Sequence, residues 1–257
     1  MQNYVISLKA ENSRRGHIEN EFSKQNIPFE FFDAITPNEA KVKAEALKLV
    51  VNQQFLTLGE LACFMSHVSL WQKVVEENLP YIAVFEDDIF LGNNAQVYLT
   101  DLSWMPDDWF LLKMEAFCPR VMLGKSVSTL IGERSFFELK GLNLGRAGYV
   151  VSYLGAKALL KFITEASHLI ALDHMMFDCF LKQNGNVFQM VPALCIQELE
   201  LNKQTKQVSV LTSKLIIERN QRMKKYKPHN LSKLKRESLR LYYQLKNFIF
   251  AKPVVFK

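Results

Sequence analysis

A chain of 257 residues, 49% of them hydrophobic, can bury one large core, which excludes a disordered or fibrous polypeptide. Its net charge of +6 is unevenly spread: residues 214–257 hold 13 Lys and Arg against two acids, a local net of +11 that leaves −5 for residues 1–213. The four cysteines, at 63, 118, 179 and 195, form no C-x-x-C pair, which argues against a zinc ribbon or a dithiol redox motif and predicts reduced, buried thiols in a cytoplasmic protein.

Residues 3 to 8, Asn-Tyr-Val-Ile-Ser-Leu, read as a first strand with no signal peptide ahead of it. Ser13 to Gln25 reads as a helix, with Ile18 and Phe22 four apart. Phe29 to Phe32 is a second apolar run, and Asp33 to Pro37 a strand end and turn in which Thr36 caps a helix starting at Pro37. Leu58 to Glu77 is the longest helical pattern: Leu61, Phe64, Met65, Val68, Trp71, Val74 and Val75 step by threes and fours. A strand follows Pro80, another spans Trp109 to Met114, and residues 126 to 140 predict a hairpin around Gly132. Ala156 to Ile163 and His174 to Leu181 read as helices, and Val187 to Val191 as a late strand closed by Pro192. Strands alternating with helices predict an α/β fold with a mostly parallel central sheet flanked by helices. Gln, Lys, Thr and Ser accumulate at 203 to 213, which places a boundary between a domain at 1–213 and a basic helical tail at 214–257. No apolar run reaches the roughly 20 residues that cross a bilayer.

Residues 81 to 91, Tyr-Ile-Ala-Val-Phe-Glu-Asp-Asp-Ile-Phe-Leu, carry the strongest chemical signal. A buried-type strand ends in three adjacent carboxylates, Glu86, Asp87 and Asp88, whose mutual repulsion and desolvation call for a positive partner. In extended backbone Glu86 and Asp88 project to one side and Asp87 to the other. Open α/β sheets bind ligands at the carboxyl ends of their strands, and Mn²⁺ or Mg²⁺ held by one or two carboxylates and substrate phosphates suits the pattern; an acidic turn capping the next segment is the plain alternative. Two chemistries use such an edge: transfer from a nucleotide sugar, or metal-dependent phosphoryl hydrolysis. The hydrolase pattern needs an aspartate first, on the first strand; Glu86 leads here, a third of the way along the chain.

With these residues in view, the sequence resembles the lipopolysaccharide glycosyltransferases of family 25. The matching blocks are Val5-Ile-Ser-Leu8 with Arg14-Arg15, Phe32-Asp-Ala-Ile-Thr36, Leu58-Gly-Glu-Leu-Ala-Cys-Phe-Met-Ser-His67 with Trp71, Phe85-Glu-Asp-Asp88, Gly148-Tyr-Val-Val-Ser152 with Gly155-Ala156 and Leu159-Leu160, Leu172-Asp173 with Met175-Met176, and Pro192 with Gln197. They run in order over residues 3 to 200 and leave out the tail. Ala171-Leu172 stands where the family often has Pro-Val, and Thr36 where a glycine is common.

The resemblance implies a GT-A-like (Rossmann-like) fold, a UDP-galactose or UDP-glucose donor, a lipooligosaccharide acceptor and an inverting mechanism. In such a mechanism Asp88 is the main ligand to Mn²⁺ or Mg²⁺ and Glu86 a second ligand or a water-mediated partner; His174 is a candidate to complete the shell, with a structural histidine as the plain reading. Candidate donor contacts are Ser7, Leu8, Ala34, Glu60, Ser66 and His67, with Asp87 toward the ribose or sugar hydroxyls. Arg14 and Arg15 suit the uridine or its phosphates, or form a solvated first helical turn. Gly148 and Tyr149 floor the sugar pocket by close backbone approach and a phenol hydrogen bond, with Tyr149 as core the alternative. Asp173 and Glu115 are the candidate general bases, with a helix N-cap as the plain reading of Asp173 and metal ligation as another. Glu60 and His67, seven apart on one helix, mark a site wall or a structural polar cluster.

In the tail Leu231, Leu234, Leu241, Leu245, Phe248 and Ile249 interleave with Lys233, Lys235, Arg236, Arg240 and Lys246. This basic amphipathic pattern predicts attachment to a membrane surface rather than nucleic-acid binding, with packing on the domain as the alternative; the lipid-linked acceptor that the resemblance implies makes that surface the cytoplasmic face of the inner membrane. A non-enzymatic membrane adaptor remains the third functional class.

Overall fold

The computed structural model describes residues 2–127, 131–205, 214–225 and 250–257. In chain order the elements are β1 (Asn3–Ser7), α1 (Asn12–Ser23), β2 (Glu30–Asp33), α2 (Pro37–Ala46), α3 (Leu58–Glu76), β3 (Tyr81–Glu86), β4 (Ile89–Leu91), α4 (Ala95–Leu99), β5 (Leu111–Lys113), β6 (Arg120–Val121), β7 (Leu123–Val127), β8 (Ser135–Leu139), β9 (Gly148–Ser152) and α5 (Tyr153–Glu165). A helical segment follows, with α6 (Leu172–His174), a π-helical turn (Met175–Phe180) and α7 (Leu181–Asn184); then come β10 (Val187–Val191), β11 (Cys195–Gln197), α8 (Glu198–Thr205), α9 (Lys214–Lys225) and β12 (Lys252–Pro253).

Eight strands form one sheet in the order β2-β1-β3-β9-β5-β10-β8-β7. Its direction corrects the sequence expectation: the sheet is mixed. Only β1–β2, β1–β3 and β5–β10 pair in parallel, whereas β9 runs antiparallel to both β3 and β5, and β8 antiparallel to both β10 and β7. The α/β alternation that predicts parallel strands breaks after β5, where β7 and β8 form a hairpin instead of a crossover helix. β9 then inserts between two strands already aligned with each other.

Alternation along the strands divides the core. Tyr4, Ile6, Ile82, Val84, Tyr149 and Val151 face one layer, packed with Phe64, Val68 and Trp71 of α3 and Ala156, Leu159 and Ile163 of α5. Val5, Ala83, Phe85, Val150 and Leu112 face the other, with Ile18 and Phe22 of α1 and Tyr98 and Leu99 of α4. α2 and α3 both start with a complete capping box, Thr36 with Glu39 and Thr57 with Glu60, which fixes where each helix begins.

The first helix of the basic segment is docked on the body. Arg222 of α9 makes two bonds to Glu60, of 3.1 and 3.2 Å, and one of 3.1 Å to the Gln54 carbonyl. At the other end β12 pairs with β6, and Ala251 and Val254 are buried. The amphipathic pattern at 231–249 and residues 206–213 of the expected 203–213 boundary lie outside the described residues, while 203–205 close α8. Among the described residues no helix is long and apolar enough to cross a membrane.

Candidate active site at the carboxyl edge of the sheet

β1, β3 and β5 point the same way, so Ser7, Glu86 and Glu115 come to one edge, and the antiparallel β9 brings its first residues, Ala147 and Gly148, to the same place. The acidic triplet sits at that edge between β3 and β4. Gln197, at the end of β11, donates Nε2–H to Glu86 Oε2 at 3.0 Å and to Asp88 Oδ1 at 3.1 Å, so these carboxylates share one side. Asp87 turns the other way and is buried, accepting from Ser7 Oγ at 2.7 Å and from Arg14. Arg14 also faces Asp88, at 3.7 Å.

The other oxygen of Glu86, Oε1, has its own partners. It lies 3.2 Å from Arg146 Nη2, 3.6 Å from His67 Nε2 and 3.9 Å from Cys63 Sγ. Arg146 Nη2 also donates to Cys63 Sγ at 2.9 Å. Cys63, His67 and Glu86 form the one trio of His, Cys, Asp or Glu among the described residues whose ligand atoms lie within 4.8 Å of one another, and Arg146 supplies positive charge beside it.

Burial acts to raise the Glu86 pKa, yet Arg146, His67 and Arg14 outweigh it and hold the group down to about 2. Asp88 goes the other way. Burial and the neighbouring Glu86 charge push it up to about 7 against the pull of Arg14 and Gln197. The resident cations thus leave Asp88 as the least compensated carboxylate of the group. A folded protein that holds the Asp88 proton up to about pH 7, when the unfolded chain releases it near pH 4, loses stability as pH rises through that window. Asp88→Asn, which never ionises, is therefore expected to melt several degrees above the native protein at pH 8 in EDTA. The two should converge near pH 4, as read by thermal denaturation across pH.

The remaining predicted site residues fall into distinct places. Leu8 is exposed, and the Ala34 N–H continues the β1–β2 ladder to the Ser7 carbonyl at 2.9 Å. Arg15 pairs with Asp33 and stacks 4.6 Å from the Phe31 ring. Ser66 accepts from the Ile35 N–H and donates to the Ala62 carbonyl, so it ties α3 to the β2 turn. Glu60 is occupied by its cap and by Arg222. Tyr149 is fully buried, its phenol taking Trp71 Nε1–H at 3.0 Å and meeting His67 Nδ1 at 2.9 Å. Gly148 packs against Cys195, leaving no room for a Cβ.

Asp173 is buried close enough to Arg146 to raise its pKa, and its Oδ1 accepts the His174 backbone N–H at 2.9 Å. His174 contributes its backbone to that contact and is half-buried. Glu115 is fully buried on Lys113, at 3.0 Å, and the Ala147 N–H, at 2.9 Å. Arg146 and Lys113 escape sequence reasoning. Their only traces are a lone arginine between two glycines, Gly145 and Gly148, and a lysine inside the apolar run 109–114.

A model of glycosyltransferase family 25 (LPS biosynthesis protein) matches residues 1–176. The chain is 42% identical over 209 residues to the lipooligosaccharide biosynthesis protein lic2B of Haemophilus influenzae, with 77% of each chain covered. It is 38% identical over 231 residues to the lacto-N-neotetraose biosynthesis glycosyltransferase LgtE of Neisseria meningitidis serogroup B, covering 86% of this chain and 82% of that one. It is also 38% identical over 233 residues to the lacto-N-neotetraose biosynthesis glycosyltransferase LgtB of Neisseria gonorrhoeae, covering 87% and 83%.

Proposed function

The chain belongs to glycosyltransferase family 25, and from that premise we propose a GT-A-like, inverting, metal-assisted transferase that moves galactose or glucose from a UDP-sugar to a lipooligosaccharide acceptor. The names of its relatives support the acceptor class. The observation that carries the chemistry is the pair Glu86 and Asp88, gathered on one side of a sheet edge by Gln197 with Asp88 left short of positive charge.

Hard oxygen donors of this kind fit Mn²⁺ or Mg²⁺, which takes few protein ligands beside substrate phosphates. Asp88 would hold it, with Glu86 beside, and the bound ion would offset charge on the leaving diphosphate as a Lewis acid. His174 is not among the ligands in this reading. Arg14, fixed by Asp87, keeps a guanidinium at the same edge, where it suits a diphosphate oxygen. Asp173 is the better base candidate, because Glu115 is sealed in the interior with Lys113. In the transfer, the acceptor hydroxyl oxygen bonds to the anomeric carbon as the carbon–oxygen bond to the β-phosphate breaks. UDP leaves, and the hydroxyl proton passes to Asp173. The net +11 of the chain from Lys214 onward supports a peripheral position on the cytoplasmic face of the inner membrane, beside a lipid-linked acceptor.

The test is thermal denaturation with Mn²⁺ and a panel of UDP-sugars. Saturating Mn²⁺ with the correct donor should raise Tm by roughly 5–10 °C, more than either alone. A flat response to every UDP-sugar would overturn the reading.

A further inference from the structure

Lys113 and Glu115 form an ion pair with both side chains fully buried, behind the acidic edge rather than in it. Such a pair seldom adds stability over apolar residues of similar volume, so its role is sought in what it holds. It holds the loop that carries Arg146. Lys113 Nζ donates to the Gly145 carbonyl, and Glu115 Oε2 accepts the Ala147 N–H at 2.9 Å, so the residues on both sides of Arg146 are pinned. The Ala147 carbonyl in turn accepts the Glu86 N–H at 3.0 Å. Gly145 has φ +86, and a Cβ there would lie 2.6–2.8 Å from the Glu115 carboxyl atoms, so backbone and carboxylate press directly together.

We propose that Lys113 and Glu115 are positioning residues that set Arg146, and that Arg146 fixes the rotamer of Glu86 so that its second oxygen faces Gln197 and Asp88. The pair thereby governs the donor site without touching donor. The catalytic consequence rests on the transferase reading. The placement of Arg146 does not, and it has its own reporter, because the guanidinium covers Cys63 Sγ at 2.9 Å.

The experiment compares the native protein, Arg146→Ala, Lys113→Met/Glu115→Leu and the triple variant. The double variant removes both charges at once and leaves no buried unpaired charge; the Ala147 N–H and the Gly145 carbonyl lose the partners that pin the loop. Alkylation of Cys63 by iodoacetamide is read at its own peptide by mass spectrometry, and kcat and KM for donor are measured alongside. The double variant should stay folded, move Cys63 labelling about tenfold from the native rate to the rate of Arg146→Ala, and lose kcat/KM to the level of Arg146→Ala, with no further change in the triple variant. Unchanged Cys63 labelling in a folded double variant, or losses that multiply in the triple variant, would overturn the proposal. Should the double variant not fold, Glu115→Gln decides by the same readouts, since it keeps an oxygen for Ala147 and loses the charge facing Lys113. If no transfer is found in the native protein, the function is wrong while the labelling result still decides the clamp.

Discussion

Asp88→Ala should lower kcat/KM by about 10²–10³-fold and abolish the Mn²⁺-dependent rise in Tm, while the protein stays folded. Within the acidic pair that Gln197 gathers, Asp88 is the carboxylate whose charge the fold compensates less. It is pushed up to about 7 by burial and by Glu86, and its Oδ2 lies 3.7 Å from Arg14 where Asp87 holds a shorter bond to the same arginine. Its removal therefore relieves repulsion and leaves no buried orphan, since Gln197 keeps its bond to Glu86. Loss of catalysis with stability kept or raised is the signature of a group retained for function. The same substitution at Asp87 should behave differently, because Ser7 and Arg14 would both lose a buried acceptor. Activity of Asp88→Ala within tenfold of the native protein would remove Asp88 from the mechanism. Scanning fluorimetry with and without Mn²⁺, beside initial rates on the responding UDP-sugar, separates the outcomes.

Gly148→Ala should cost about 1–3 kcal/mol, and much of that should return in Gly148→Ala/Cys195→Ala. Gly148 opens β9, which is paired on both flanks, to β3 and β5, so the backbone has little freedom to shift. A Cβ would overlap Sγ of the fully buried Cys195, with Phe85 ring atoms at 3.4 Å behind it. Cys195→Ala alone leaves a small void and is expected to cost about 1 kcal/mol. Chemical denaturation of the three variants closes the cycle; additive losses would show that the overlap is not the cause. Activity should fall with stability in the single variant, because the Gly148 end of β9 carries Arg146 and Ala147 to the acidic edge.

Much of the site was legible because its signal is local. Glu86, Asp87 and Asp88 adjoin in sequence, and Asp87 parts from the other two as expected, although it does so in the turn between β3 and β4 rather than by alternation in an extended chain. Gly148 stood out as a candidate donor contact, and the structure sets its backbone against the Cys195 side chain. Glu60 and His67 were legible as a polar stripe on α3. The structure divides them, giving Glu60 to its cap and Arg222, and His67 to Tyr149 and the Glu86 edge. The cations that balance the triplet were harder to read. Arg14 comes from 73 residues before Asp87 and Arg146 from 60 residues after Glu86, and a single arginine has no periodicity that announces its partner.

The sequence by itself determined the α/β class, the position of most strands and helices, the acidic edge and, through ordered blocks, the family. These follow from short-range patterns: alternation, helical spacing, capping residues and the fixed offsets of motif residues. The tertiary structure alone decided the direction of β9, the mixed character of the sheet, the burial of Glu115 with Lys113 and the convergence of Arg14, Arg146 and Gln197 on the carboxylates. Strand direction depends on which strands find one another across long loops, and a buried charge is stable only beside a partner the fold delivers. Neither property resides in any stretch of chain short enough to read.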